Sequence, residues 1–143
     1  MKKVLAGILA AVIIFSGNAL RAQYTYTRNN ERLQQDYADY NQAFFDNALP
    51  KNVVVTWSDI PKSKDGRFVM GNTHEEIIGG TFSIQIDTKS NIAWATADTT
   101  LLHEMCHVKT YDRTVELDQD MHGPLFKACI VNLELQGAFT DLL

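Results

Sequence analysis

The sequence is poor in cysteine, which limits how the chain can be cross-linked. Only Cys106 and Cys129 occur among its 143 residues, too few for the disulfide framework of a small secreted scaffold. The two could pair if their Cα atoms came within about 7 Å of each other. Buried cysteines are commonly free thiols, and we expect free thiols at both positions.

Positive charge is also scarce. The formal net charge is −4, and loss of the three basic residues within 1–22 would make it −7. Binding to nucleic acid depends on Lys and Arg clustered on one surface. The sequence shows no such cluster, so nucleic acid is not an expected partner, although a local basic patch could still form from Lys62, Lys64 and Arg67.

No apolar run is long enough for an ordinary transmembrane helix. Two lysines precede twelve mostly apolar residues at 4–15, whereas a spanning helix needs about 20. Small residues at 16–19 suit a cleavage site, and the whole pattern is typical of a secretory signal peptide. We predict a signal peptide over 1–22, a single domain over 23–143, and export to the periplasm or the cell exterior. The alternative is a retained anchor at 4–20, which would make the membrane a partner.

An H-E-x-x-H motif is the feature around which the chain is organised. His103 and His107 are four residues apart, so a helix places them on one face, where they can bind one metal ion. Glu104 lies where it can act on a metal-bound water. Asp98 and Thr99 offer acceptors for the N–H groups at the start of this helix. An apolar arc lies nearly opposite the histidines at about 100° of rotation per residue: Leu101, Leu102, Met105, Cys106 and Val108.

Catalytic zinc commonly has three protein ligands and an open position for water, so a third ligand is expected. His122 follows His107 after fourteen residues and precedes a predicted helix, in which Pro124 suits the first turn. We interpret His122 as that ligand, with His74, in a polar stretch, as the alternative. Three acidic residues could also reach a metal, although their run is typical of a solvated loop: Glu116, Asp118 and Asp120.

The remaining pattern predicts a small α+β domain. Apolar residues at helical spacing predict a first helix, and short β-branched or alternating runs predict strands. The predicted elements are a helix at 30–48, strands at 53–57, 67–70 and 81–87, a loop at 71–80, the motif helix ending near 110, and a last helix at 123–135.

Two separated runs carry a resemblance to a known family. Residues 99–107 (TTLLHEMCH) and 122–127 (HGPLFK) resemble the SprT-like zinc metallopeptidase domain, which also occurs in the Spartan protease. Three upstream stretches are similar to it as well: 41–50 (NQAFFDNALP), 53–57 (VVVTW) and 79–87 (GGTFSIQID). The resemblance covers roughly residues 30–140.

The resemblance implies a fold and a set of functional residues. The expected fold is a zincin-like metallopeptidase domain, in which a small antiparallel or mixed sheet accompanies an N-terminal helix, an HExxH active-site helix and a C-terminal helix. The implied zinc ligands are His103, His107 and His122, with Glu104 as catalytic acid and base. A sheet-edge strand beside the metal is also implied, and we assign it to 81–87, where an extended peptide could pair with it.

The sequence departs from the family pattern in three respects. Many members carry a zinc ribbon with four cysteines, whereas this sequence has two cysteines. Many members act inside the cell, and members that act on DNA-bound proteins have basic surfaces. The export signal and the acidic charge of this chain therefore put a DNA-repair role in doubt, but they leave the metal site intact.

These observations predict a monomeric zinc metallopeptidase of peptides or unfolded proteins. Hydrolysis would use a zinc-activated water, with Glu104 passing its proton to the leaving amine. Tyr111 is a candidate for stabilising the oxyanion, and Trp94 is interpreted as a packing residue. The alternatives are a non-catalytic zinc-binding module and, should translation begin downstream of the signal, a protease of DNA-bound proteins.

Overall fold

The structure, a computed structural model, describes residues 28–75, 80–111 and 122–140. These ranges contain three helices and three strands, in the order α1 (Asn30–Phe45), β1 (Val54–Ser58), β2 (Gly71–Glu75), β3 (Phe82–Asp87), α2 (Trp94–Thr110) and α3 (Pro124–Leu135). The predicted α+β class is confirmed. The predicted signal peptide and the acidic run at 112–121 lie outside the described residues. None of the described helices has the length and apolar character needed to span a membrane.

α1 begins with a side-chain cap and ends in a left-handed residue. The Asn29 side-chain oxygen accepts hydrogen bonds from the N–H groups of Glu31 and Arg32, which satisfies donors that a first helical turn leaves free. The helix ends at Phe45, before the predicted end at 48, because Asp46 is left-handed with φ 53°. Its buried face consists of Leu33, Tyr37, Asn41 and Phe45.

β3 is the central strand of a three-stranded mixed sheet. The strand order is β1-β3-β2, with β1 parallel and β2 antiparallel to β3. Phe82, Ile84 and Ile86 of β3 are buried, as the alternating pattern predicts. Alternation identifies the buried face of a strand but not its neighbours in the sheet. The prediction that this strand forms a sheet edge is therefore wrong, and with it the pairing of substrate to that strand.

The outer strand beside α2 is β2, in a stretch predicted to be a loop. Residues 71–75 read Gly-Asn-Thr-His-Glu and include no apolar residue, so no alternation marks them as a strand. The strand predicted at 67–70 is not formed, and Phe68 and Met70 there are exposed. Backbone pairing to β3, in a register that sets Thr73 opposite Ile84, forms β2 instead.

α2 carries the H-E-x-x-H motif and begins one turn earlier than predicted. The expected start was at Asp98 and Thr99, whereas the helix begins at Trp94. There the Thr96 hydroxyl donates to the Ala93 carbonyl oxygen at 2.7 Å and accepts from the Ala93 N–H at 3.3 Å. The predicted apolar arc is buried in the core: Leu101, Leu102, Met105, Cys106 and Val108.

α3 packs mainly against α2 and is joined to it by a disulfide bond. The bond links Cys106 of α2 to Cys129 of α3, with the Cα atoms 5.8 Å apart. The expectation of two free thiols is therefore wrong. Both cysteines are buried, and the apolar arcs that carry them face each other. The burial that favoured free thiols is thus also what brings the two sulfur atoms together.

Candidate metal centre

Two histidines lie side by side on the polar face of α2. His103 and His107 are half-buried, and their ring centroids are 5.0 Å apart. The opposite face of the helix carries the buried apolar arc, so rotating α2 to turn the histidines away would expose that arc to water. The amphipathic pattern of the helix therefore determines where both imidazoles lie.

His122 completes a cluster of three imidazoles. It lies two residues before Pro124, where α3 begins, and its Nε2 is 3.2 Å from the Nε2 of His103. His103, His107 and His122 each offer one ligand atom, and these atoms lie within 4.8 Å of one another. In the described parts of the chain this is the one such group, and His74, on β2, lies outside it. The acidic alternatives fall outside the described residues: Glu116, Asp118 and Asp120.

The donor set and its spacing fit a zinc ion. Zn–N bonds of about 2.0–2.1 Å in a tetrahedral site put two ligand nitrogens about 3.3 Å apart, close to the 3.2 Å between His103 and His122. Burial lowers the pKa of His103, and burial with the neighbouring imidazoles lowers the pKa of His107 to about 4. Both rings are therefore neutral near pH 7, the form in which imidazole binds metal.

Phe126 forms an apolar support for the three imidazoles. This side chain of α3 is buried, and its ring centroid is 4.8, 4.4 and 4.7 Å from those of His103, His107 and His122. The contact with His107 is stacked. Phe126 thus restricts the rotation of all three rings, and it keeps water from the side of the cluster that it covers. Nothing in the sequence distinguished it from an ordinary core residue of α3.

Glu104 is buried and faces β2. One carboxylate oxygen, Oε2, accepts a hydrogen bond of 2.8 Å from the Thr73 hydroxyl. A Cβ atom on Gly71 would lie 2.9 Å from the other oxygen, Oε1, and 2.7 Å from Cγ2 of Thr100, so a larger residue there would displace one of these side chains. Burial raises the pKa of Glu104 to about 7, and the hydrogen bond from Thr73 opposes this rise.

Sequence reasoning missed Gly71 and Thr73 as parts of this site. Both belong to β2, which lies in a stretch predicted to be a loop, and no spacing connects them with Glu104. Thr73 is 31 residues upstream of Glu104, and the contact exists only because β2 pairs with β3 and packs on α2. A glycine ahead of a polar run is the sole local signal, and such a signal is too common to identify a site.

Two other aromatic residues singled out by the sequence lie at the ends of α2. Tyr111 follows the last helical residue, four positions after His107, and its ring packs edge-on against Phe82 with centroids 5.3 Å apart. Trp94, at the first position, packs edge-on against Trp57 at 5.6 Å and stacks on the Arg32 guanidinium at 3.8 Å. Trp94 therefore packs at the junction of α1, β1 and α2, as interpreted from the sequence.

The fold and the site together define a class of protein: a small α+β domain in which a central helix and the segment after it bring three histidines to one point. A model of the SprT-like family matches residues 33–140. The match includes every described strand and all three histidines. The chain belongs to the SprT-like family, whose members are typically metallopeptidase-like domains associated with zinc.

Proposed function

We propose that this protein is a zinc-dependent metallopeptidase with a zincin-like active site built on α2. In this proposal His103, His107 and His122 bind the zinc ion, and Glu104 acts as general base and then general acid. One observation supports it most directly. Three imidazole nitrogens lie within 4.8 Å of one another, and the residue after the first histidine is a buried carboxylic acid held by a hydrogen bond.

The proposed chemistry is hydrolysis of a peptide bond. Bound zinc would lower the pKa of a ligated water to about 7 and polarise the scissile carbonyl. Glu104 would accept a proton from the attacking water on a carboxylate oxygen and deliver it to the leaving amine nitrogen. A pKa of about 7 suits a group that both accepts and donates a proton near neutral pH. Thr73 orients the carboxylate, and Phe126 keeps the imidazoles in place.

A zinc site that only stabilises the fold is the competing interpretation, and it accounts less well for Glu104. Structural zinc sites usually have four protein ligands, whereas three histidines converge in the part of the chain that the structure describes. Burial of a carboxylic acid is unfavourable unless it is compensated. A purely structural site has no need for such a group next to a ligand.

The test of the proposed function is the Glu104→Gln variant. The amide keeps the shape of the side chain but cannot accept the proton, so we expect peptidase activity to fall by at least about a hundredfold. Zinc content, measured by metal analysis, should stay at one ion per chain. The exposed Glu134→Gln variant, on α3, is the matched control and should retain full activity. Activity of Glu104→Gln within a few-fold of the parent would remove Glu104 from the mechanism, and a zinc-loaded but inactive parent would favour the non-catalytic module.

We also propose that the mature protein is exported, monomeric and active on peptides or unfolded proteins. The Cys106–Cys129 disulfide supports export, because disulfides persist mainly in oxidising compartments. The acidic net charge supports a protein substrate that is not bound to nucleic acid.

A further inference from the structure

The disulfide bond joins the two elements that carry the candidate metal ligands. Cys106 precedes His107 on α2, and Cys129 lies on α3, seven residues after His122 and three after Phe126. Both cysteine side chains are buried. The bond is therefore close in sequence to two of the three histidines, although it is not part of the cluster.

The position of His122 depends on how α3 is docked. His122 is exposed and lies two residues before the start of α3, so its ring reaches His103 only when α3 lies against α2. α3 packs mainly on α2. Its far end is held by the buried Ala138 and by a hydrogen bond of 3.3 Å from the Gln136 amide to the Phe44 carbonyl oxygen. The disulfide is the covalent tie between α2 and α3 within the described residues.

We propose that the Cys106–Cys129 disulfide positions His122 for metal binding, so that the zinc affinity of the folded protein depends on its thiol–disulfide state. This inference rests on the zinc site of the proposed function. When the bond forms, the two thiols lose two protons and two electrons and an S–S bond is made. The electrons reduce a partner disulfide, such as glutathione disulfide, to two thiols.

The physical basis is the entropy of docking α3. In the disulfide form, α3 is held on α2 before the metal binds. Little conformational entropy is then lost when His122 becomes a ligand. In the dithiol form, part of the zinc binding energy is used to restrict α3. Linkage then requires reciprocity: the factor by which the disulfide tightens zinc binding equals the factor by which zinc favours the disulfide.

The first measurement is the zinc Kd of the oxidised parent and of the C106S/C129S variant, by competition with a chelating dye. We expect zinc binding to the variant to be weaker by about tenfold or more. Leu133→Val is the control, because this buried residue of α3 contributes to packing while the disulfide stays intact. Its thermal stability should fall while its zinc Kd stays close to that of the parent. A disulfide that merely stabilises the fold would leave the zinc Kd of the folded double variant unchanged.

The second measurement uses the parent chain, and so does not depend on folding of the double variant. The disulfide–dithiol equilibrium is measured in glutathione buffers at two free zinc concentrations set by a metal buffer. Zinc should shift the equilibrium toward the disulfide by the factor by which the disulfide tightens zinc binding. The His122→Ala substitution should abolish this shift. Equal zinc affinity of the oxidised parent and the double variant, or an equilibrium that does not respond to zinc, would overturn the inference. Failure of the oxidised parent to bind zinc at all would overturn the proposed metal site as well.

Discussion

Glu104 illustrates how a single side chain is governed by residues far away in the sequence. Its neighbours His103 and His107 are fixed by helical spacing, but its own surroundings come from β2. Thr73 donates to its carboxylate, and Gly71 leaves the space that its other oxygen occupies. The Thr73 hydroxyl also lies 3.2 Å from the backbone carbonyl oxygen of Glu104. The single hydroxyl hydrogen of Thr73 can thus be donated either to the ionised side chain of Glu104 or to its backbone carbonyl oxygen.

The orienting role of Thr73 predicts a loss of catalytic rate on removal of its hydroxyl. Thr73→Val keeps the volume but not the donor, and hydrogen bonds to charged groups contribute about 1.5–3 kcal/mol. We expect kcat to fall by roughly tenfold or more, with KM and zinc content unchanged. Thr73→Ser retains a hydroxyl and should recover most of the rate. Loss of zinc from Thr73→Val, or a Ser variant as slow as Val, would indicate that Thr73 serves the fold instead.

At the residue scale, the sequence predicts which histidines lie together better than it predicts the residues around them. The three histidines that spacing and resemblance singled out are the three that the structure brings together. Periodicity within one helix suffices for His103 and His107. Thr73, Gly71 and the partner of Cys106 depend on contacts between separate elements, which no local pattern encodes.

At the scale of elements, the contact between α1 and α2 contains a buried carboxyl. Asp98 of α2 is buried and lies 3.8 Å from the Arg32 guanidinium of α1. Burial, followed by repulsion from Asp36, raises the pKa of Asp98 to about 6, although Arg32 opposes the rise. The interface therefore holds a carboxylic acid that binds its proton more tightly in the folded chain than in the unfolded chain.

The raised pKa of Asp98 predicts a pH-dependent loss of folding stability, which an amide at this position would remove. Because folding raises the pKa of Asp98 from 3.8 to about 6, stability is lost as the pH rises through this window, and the loss is complete above it. Asp98→Asn should increase the free energy of unfolding at pH 7 by on the order of 1–3 kcal/mol, with a difference near zero at pH 4. Urea unfolding at both values checks this, with the exposed Glu134→Gln as control. A gain that is equal at both pH values would refute the assignment to Asp98.

The helices and strands that were predicted correctly are those whose apolar residues recur at regular spacing. The buried face of α2 and the alternation of β3 follow from their side chains, and both are found. The start of α2 was missed because Thr96 caps it through a local bond with Ala93, whereas Asp98, the expected capping group, faces α1. β2 was missed because its residues are polar and show no alternation, so the strand is formed by backbone pairing to β3.

At the scale of the whole molecule, the disulfide and the acidic charge both bear on where the protein acts. Export predicts that the native protein lacks its first residues and begins near Leu20 or Gln23. N-terminal sequencing of the protein from its host, with cell fractionation, checks this. An intact Met1 on a cytoplasmic form would contradict export and would revive action on DNA-bound proteins. A membrane-bound form with an uncleaved N-terminus would instead identify residues 4–20 as an anchor.

The covalent link between α2 and α3 also has a topological consequence. Cys106 and Cys129 are 23 positions apart, and the bond between them closes a ring of chain that contains His107 and His122. A single backbone cut inside this ring opens it without releasing either piece. A chain nicked there would migrate as one molecule until its disulfide is reduced, and it would keep all three histidines in the same covalent assembly.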